Sequence, residues 1–155
     1  MNLLRRKFLK TASFVGAAVT VGSSVLIPQR AIAAYNKAAF EAKDVGGAIS
    51  ASLGSDQYSA SDSVKLKAPD IAENGAVVPI TVSASMGNVT GISIIASANP
   101  QPLTSTYQLS AAAEPYVSTR IKMAKTADII AVVKADGKLY SSTKEVKVTI
   151  GGCGG

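Results

Sequence analysis

The chain has no histidine, no tryptophan and a single cysteine, Cys153, among its 155 residues. Without imidazole there is no Ser-His-Asp or Cys-His pair, no histidine metal ligand and no ordinary haem ligation, and one thiolate cannot build a zinc or iron–sulfur site. No catalytic residue, metal site or cofactor is therefore expected of the chain itself. An internal disulfide is excluded as well. The lone sulfur is left with pairing to another molecule or with use as a free thiol.

A true surplus of charge is also missing. The formal net charge of +6 would invite a nucleic-acid reading, but its source is the leading segment. Arg5, Arg6, Lys7 and Lys10 precede an apolar stretch from Thr11 to Ile27, and Ala31-Ile32-Ala33 forms a small-residue cleavage site, the pattern of an export signal. The stretch falls short of the roughly 20 apolar residues a membrane-spanning helix needs. It is diluted by Gly16, Gly22, Ser23 and Ser24 and closed by Pro28. Cleavage after Ala33 is expected, with no membrane contact afterwards. The pair Arg5-Arg6 followed by Lys7-Phe8-Leu9-Lys10 fits a twin-arginine signal of the kind that exports folded proteins to the periplasm, with Leu4 standing where Ser or Thr is usual. Removing residues 1–33 takes away five basic residues and no acid, leaving 11 basic against 10 acidic. No nucleic-acid partner is expected of this near-neutral chain.

Residues 34–150 have the length of a single domain. Asn36 to Asp44 carries helix formers with Tyr35 and Phe40 on roughly one face, and Gly46-Gly47 is expected to stop that helix. Gly54 to Ser63 is small, polar and turn-rich and reads as a loop. Strand patterns follow at Val64–Lys67, at Ala76–Ser83 with Pro79 marking an edge or bulge, and at Gly91–Ala98, Ser105–Ser110 and Val117–Lys125. Asp128–Ala135 and Lys138–Ser142 flank Asp136-Gly137, the composition of a two-residue type I′ hairpin, and Lys144–Ile150 alternates polar and apolar residues as a half-buried terminal strand. Seven or so short strands without strand–helix–strand alternation predict an all-β fold, an antiparallel β-sandwich with a short N-terminal helix.

The last five residues are Gly151-Gly152-Cys153-Gly154-Gly155. Glycine has no Cβ, so this backbone can adopt positive φ and enter a narrow channel that would exclude any side chain. Three extended residues past Ile150 reach about 10 Å. A thiolate attacks sulfur well and forms S–S links that can later be cleaved at either sulfur, which suits it to loading and releasing inorganic sulfur. An unperturbed thiol has a pKa of about 8.5 and is mostly protonated at neutral pH, so activation is expected from a partner enzyme. The competing readings of Cys153 are an intermolecular disulfide and an incidental thiol in a disordered tail. A prenylation signal is excluded, because Gly152 occupies the fourth position from the end.

The blocks LKAPDIAENGAVVPITV (Leu66–Val82), Asn99-Pro100, TRIKMAKTADIIAVVKADGKLY (Thr119–Tyr140) and VKVTIGGCGG at the end closely resemble the SoxY family over nearly all of the chain that follows the signal. The resemblance implies an immunoglobulin-like sandwich and a periplasmic carrier in thiosulfate oxidation, not an enzyme. Cys153 would be the covalent attachment point, and Gly151, Gly152, Gly154 and Gly155 the flexible carrier arm. It also implies a heterodimer with SoxZ. The SoxAX haem proteins would load thiosulfate as a cysteine S-thiosulfonate, and SoxB would hydrolyse the terminal sulfonate to sulfate. A SoxCD-type dehydrogenase, where present, would oxidise the remaining sulfane sulfur.

Two further features have competing readings. Arg120 and Lys122 on one strand face, with Lys125 at its end, either steer an anion or an acidic partner or form a solvated face balanced by nearby acids, and the second reading is favoured. Pro69 to Gly75 reads mainly as a turn between strands at Asn74-Gly75, with partner contact a minor share. Two rival functions stand beside the carrier: a Gly-Gly carrier that forms a thiocarboxylate on Gly155, disfavoured by export from the ATP-containing compartment, and an exported structural or adhesion sandwich that dimerises through Cys153.

Overall fold

The computed structural model describes residues 35–150. The signal expected over 1–33 and the arm expected over 151–155, with Cys153 and its four glycines, lie outside the described residues.

Two short helices come first, where one was expected. Helix α1 spans Lys37–Glu41, with the Asn36 side chain accepting from the Ala39 N–H at 3.2 Å. Helix α2 spans Val45–Leu53. Gly46 and Gly47, expected to stop a helix, lie in the first turn of α2, and Asp44 caps it by accepting from the Gly47 N–H at 2.7 Å. A Cβ on Gly47 would stand 3.0 Å from that carboxylate, so glycine here admits the cap. The helix ends at Gly54, whose φ of +90° is the left-handed conformation that favours glycine. The Lys134 ammonium donates to the Leu53 carbonyl at 2.8 Å, placing a cation at the negative end of α2.

Among the described residues the strands are β1 (Tyr58–Ala60), β2 (Val64–Lys67), β3 (Ile71–Asn74), β4 (Val78–Ala84), β5 (Val89–Ala96), β6 (Leu103–Gln108), β7 (Tyr116–Ile121), β8 (Ala127–Ala135) and β9 (Lys138–Ile150). The larger sheet runs β1-β9-β8-β5-β6, with β3 also pairing to β9, and the smaller runs β2-β4-β7. The β-sandwich expected from the strand pattern is present. Its pairings are antiparallel apart from those of β1 and β3, which run parallel to β9.

Both faces of the larger sheet are covered. Ile92, Ile94, Ile129, Val133 and Val146 pack toward Val78, Ile80 and Val82 of the smaller sheet, and Ile95, Ile130, Val132 and Leu139 pack under Ala48, Ile49 and Leu53 of α2. Strands β5 and β8 are consequently buried at nearly every position and read as apolar runs, as doubly covered strands do. Each such Ile or Val contributes roughly 1.5–3 kcal/mol by leaving water. Helix α2 comes so close to β5 that a Cβ on Gly91 would lie 3.1 Å from Leu53 Cδ2.

Several local expectations hold. Asp136 and Gly137 have φ of 50° and 75°, and Ala135 pairs with Lys138, so the hairpin has the two positive φ values of a type I′ turn. Pro79 lies in the middle strand of the smaller sheet, but β2 pairing ends at Lys67↔Thr81, and Pro79 has β7 alone as its partner through Arg120. The strand is thus an edge at that residue, where a missing N–H is tolerated. Other expectations change. The two segments expected after the hairpin are one continuous thirteen-residue strand, β9. The expected loop over 54–63 contains β1, whose residues are all exposed and so carry no burial pattern.

Strand β3 begins at an ion pair. Lys144 Nζ lies 2.9 Å from the Asp70 carboxylate and donates to the Ala68 carbonyl at 2.6 Å. The hydrogen bond from Lys144, with its charge, holds the Asp70 carboxyl below the ordinary carboxylate range. Because the folded-state pKa is depressed, the pair's stabilising effect is present above the unfolded pKa and is lost as pH falls through the folded one. Carboxyl NMR titration should therefore find Asp70 titrating below an unpaired aspartate, and Lys144→Met should return it to the ordinary range. For the core, Ile94→Ala should lower the unfolding free energy by roughly 2–5 kcal/mol in denaturant titration, whereas Ile71→Ala, at a residue 58% exposed, should change it by no more than about 0.5 kcal/mol.

Candidate functional site

The candidate site is the end of the sandwich from which the last five residues depart. Strand β9 pairs with β8 only as far as Ala127↔Val146. Beyond Val146 the chain would run without a strand neighbour, but β3 lies parallel to it with Ile71↔Lys147, Ala72↔Val148 and Asn74↔Ile150 in register. The Lys147 N–H donates to the Asp70 carbonyl at 3.0 Å, and the Gly75 N–H donates to the Ile150 carbonyl at 2.7 Å. The Thr149 hydroxyl donates to the Glu73 carbonyl at 2.8 Å. On the opposite edge the Val148 N–H donates to Thr126 Oγ1 at 2.9 Å. The strand is thereby held to its last described residue.

Gly75 connects this edge to the core. Its carbonyl accepts from the N–H of Met123 at 2.7 Å, and Met123 is fully buried. The expected turn at Asn74-Gly75 is present: the Val77 N–H donates to the Asn74 carbonyl at 3.3 Å and the Ala76 N–H to Asn74 Oδ1 at 2.8 Å. It carries the chain from β3, in the larger sheet, to β4, in the smaller. Sequence reasoning found the turn but missed the contact of its glycine with Ile150, and it missed Thr149 altogether. A parallel partner some 76 residues away leaves no trace in local periodicity. The one available signal was the alternation continuing to Ile150, which shows a strand but not its neighbour.

The second feature at this end is a groove of about 510 Å³ where β6 and β7 form the edges of their sheets, lined in part by Gln101, Thr104, Arg120, Lys122 and Glu41. Strand β7 stops at Ile121, so Lys122 lies just past it and both cations face the same groove. Asn99 fixes the segment that follows, donating to the Lys122 carbonyl at 2.8 Å and accepting from the Ala124 N–H at 2.9 Å. An acid, Glu41, lines the same groove, but it forms no close ion pair with either cation. Among the described residues the ion pairs are Lys37–Glu41 at 3.7 Å and Lys144–Asp70, and neither involves Arg120, Lys122 or Lys125. The predicted attachment residue Cys153 and the predicted arm residues Gly151, Gly152, Gly154 and Gly155 lie outside the described residues, and the structure places their anchor, Ile150.

A held strand end beside a cationic groove can present a segment to another molecule. The family model "Sulfur oxidation protein SoxY" matches residues 49–153, a span that closes on the lone cysteine. The solved structure of the sulfur carrier protein SoxY from Chlorobium limicola f thiosulfatophilum is 44% identical, with a TM-score of 0.62, over 71% of this chain and 96% of that one. A superoxide reductase (neelaredoxin) from Ignicoccus hospitalis, 19% identical with a TM-score of 0.50 over 56% of this chain and 80% of its own, shares the fold alone. No curated protein matches the chain. With two thirds of its length under the family model and a 44% identical relative of the same fold, the chain belongs to the SoxY family of sulfur oxidation proteins.

Proposed function

We propose that this chain is a periplasmic, covalent carrier of thiosulfate-derived sulfur, with Cys153 as the attachment point and its four flanking glycines as the arm. One observation carries the reading: the family match runs through to Cys153, the only sulfur nucleophile of its kind in the sequence. Family membership supports a carrier that works with other Sox proteins, SoxZ among them. The finer scheme is our proposal. A SoxAX-type haem enzyme removes two electrons and one proton as the Cys153 thiol joins the sulfane sulfur of thiosulfate, forming a cysteine S-thiosulfonate. A SoxB-type hydrolase then adds water, releases sulfate and leaves a persulfide on Cys153, which a SoxCD-type dehydrogenase oxidises further where it is present. The carrier contributes the nucleophile and its presentation, and its partners contribute the chemistry.

Arg120 and Lys122 support a supplementary role. Two cations without a carboxylate partner among the described residues, at the end that bears the arm, draw an anionic reactant or an acidic partner surface toward it. Glu41, in the same groove, is already paired with Lys37. Export follows the leading basic and apolar pattern, with the mature chain starting at Ala34.

Intact-mass analysis after incubation with thiosulfate and the loading enzyme should show added mass confined to the peptide containing Cys153, and none in Cys153→Ser. Modification elsewhere with an untouched C-terminal peptide would refute the carrier reading, and disulfide dimers that take up no sulfur when reduced would favour a structural module. The double variant Arg120→Glu/Lys122→Glu should load several-fold more slowly at low salt. The wild-type rate should fall toward the variant's as ionic strength rises, because screening removes steering over distances longer than about 10 Å at 0.1 M salt.

A further inference from the structure

We propose that Gly75 and β3 act as a clamp that sets the starting point of the carrier tether by holding β9 in place through Ile150. This rests on the carrier reading and assigns it positioning residues. Strand β8 no longer pairs with β9 after Val146, so apart from Thr126 Oγ1, which accepts from the Val148 N–H, the hold on Lys147–Ile150 comes from β3, from the Gly75 N–H on the Ile150 carbonyl and from the Thr149 hydroxyl on the Glu73 carbonyl. The Gly75 carbonyl is in turn fastened to the Met123 N–H, so the clamp is attached to the core and does not move as a loose edge. With Ile150 held, Gly151 and Gly152 are the residues between the clamp and Cys153. That short span matters. Once a tether outgrows the distance it has to bridge, the effective concentration of its end at the target falls with length.

The clamp can be opened selectively. Gly75 is the second residue of the four-residue turn closed by Asn74 and Val77, the position where proline is favoured, and its φ is not in the left-handed region. Asn74 before it is already extended in β3, as a residue preceding proline prefers. Gly75→Pro therefore keeps the turn and the carbonyl that Met123 uses, and it removes the N–H donated to Ile150. Thr149→Val removes the second bond without touching the backbone.

Backbone ¹⁵N relaxation on the mature protein reads the clamp without any partner. In the wild type, high order should persist through Ile150. In Gly75→Pro the boundary should retreat by one or two residues, and in Thr149→Val by less, with the thermal midpoint little changed. Loading of Cys153 by thiosulfate and the loading enzyme should fall several-fold in Gly75→Pro at limiting enzyme. Deleting Gly151 in that variant should restore much of the rate, whereas the same deletion in the wild type should lower it. A boundary that stays at Ile150 in both variants, or Gly75→Pro loading at the wild-type rate despite a retreated boundary, would overturn the inference. If Gly75→Pro fails to fold, Thr149→Val decides by the same two readouts. A wild-type protein left unloaded would sink the carrier reading instead, and the relaxation boundary would still decide whether the clamp exists.

Discussion

Strand β9 is thirteen residues long, and how its two edges are held organises much of the rest of the structure. One edge is occupied by β8 from the hairpin at Asp136-Gly137 up to Val146. The other is occupied by β1 near the hairpin and by β3 near the far end. Where β8 stops, β3 is already in place, and the strand continues to Ile150 as an extended rod. On that side the outermost strands of the larger sheet are the short β1 and β3, and short edge strands limit edge-to-edge association. Lys144, in mid-strand, ties the start of β3 to β9 through Asp70 and the Ala68 carbonyl.

The core makes this rod a firm base. Strands β5 and β8 are covered on one face by the smaller sheet and on the other by α2. The helix contacts depend on close approach at Gly91 and on a cap that Gly47 leaves room to form. Charge is distributed unevenly over this frame. Asp70 and Lys144 satisfy each other at the β3–β9 edge, while Arg120 and Lys122 face a groove that Glu41 also lines and form no close ion pair among the described residues.

Family membership and the physical frame give a consistent division of labour. A SoxY chain with no histidine and one thiol has few groups with which to perform acid–base or metal chemistry. What its structure does hold in place is β9 as far as Ile150, three positions before the lone thiol. The Asn74-Gly75 turn shows how closely the two are linked: the same glycine that passes the chain from one sheet to the other also closes the last hydrogen bond of β9.

The sequence by itself determined the chemistry: a lone sulfur centred in glycines, a hairpin at Asp136-Gly137 needing two positive φ values, apolar runs at β5 and β8, and enough shared blocks to indicate the family. These features are local, and residue type alone is sufficient to state them. It also showed a turn at Asn74-Gly75 and a strand reaching Ile150, but not that the two meet. That meeting, the second helix beyond Asp44 where Gly46-Gly47 was expected to end helical structure, the merging of two expected strands into β9 and the lack of a close ion pair to Arg120 and Lys122 among the described residues were decided by tertiary structure. Parallel pairing across some 76 residues, and the presence or absence of an acid beside a cation, depend on which distant segments the packed core brings together, and no periodicity in the chain encodes that.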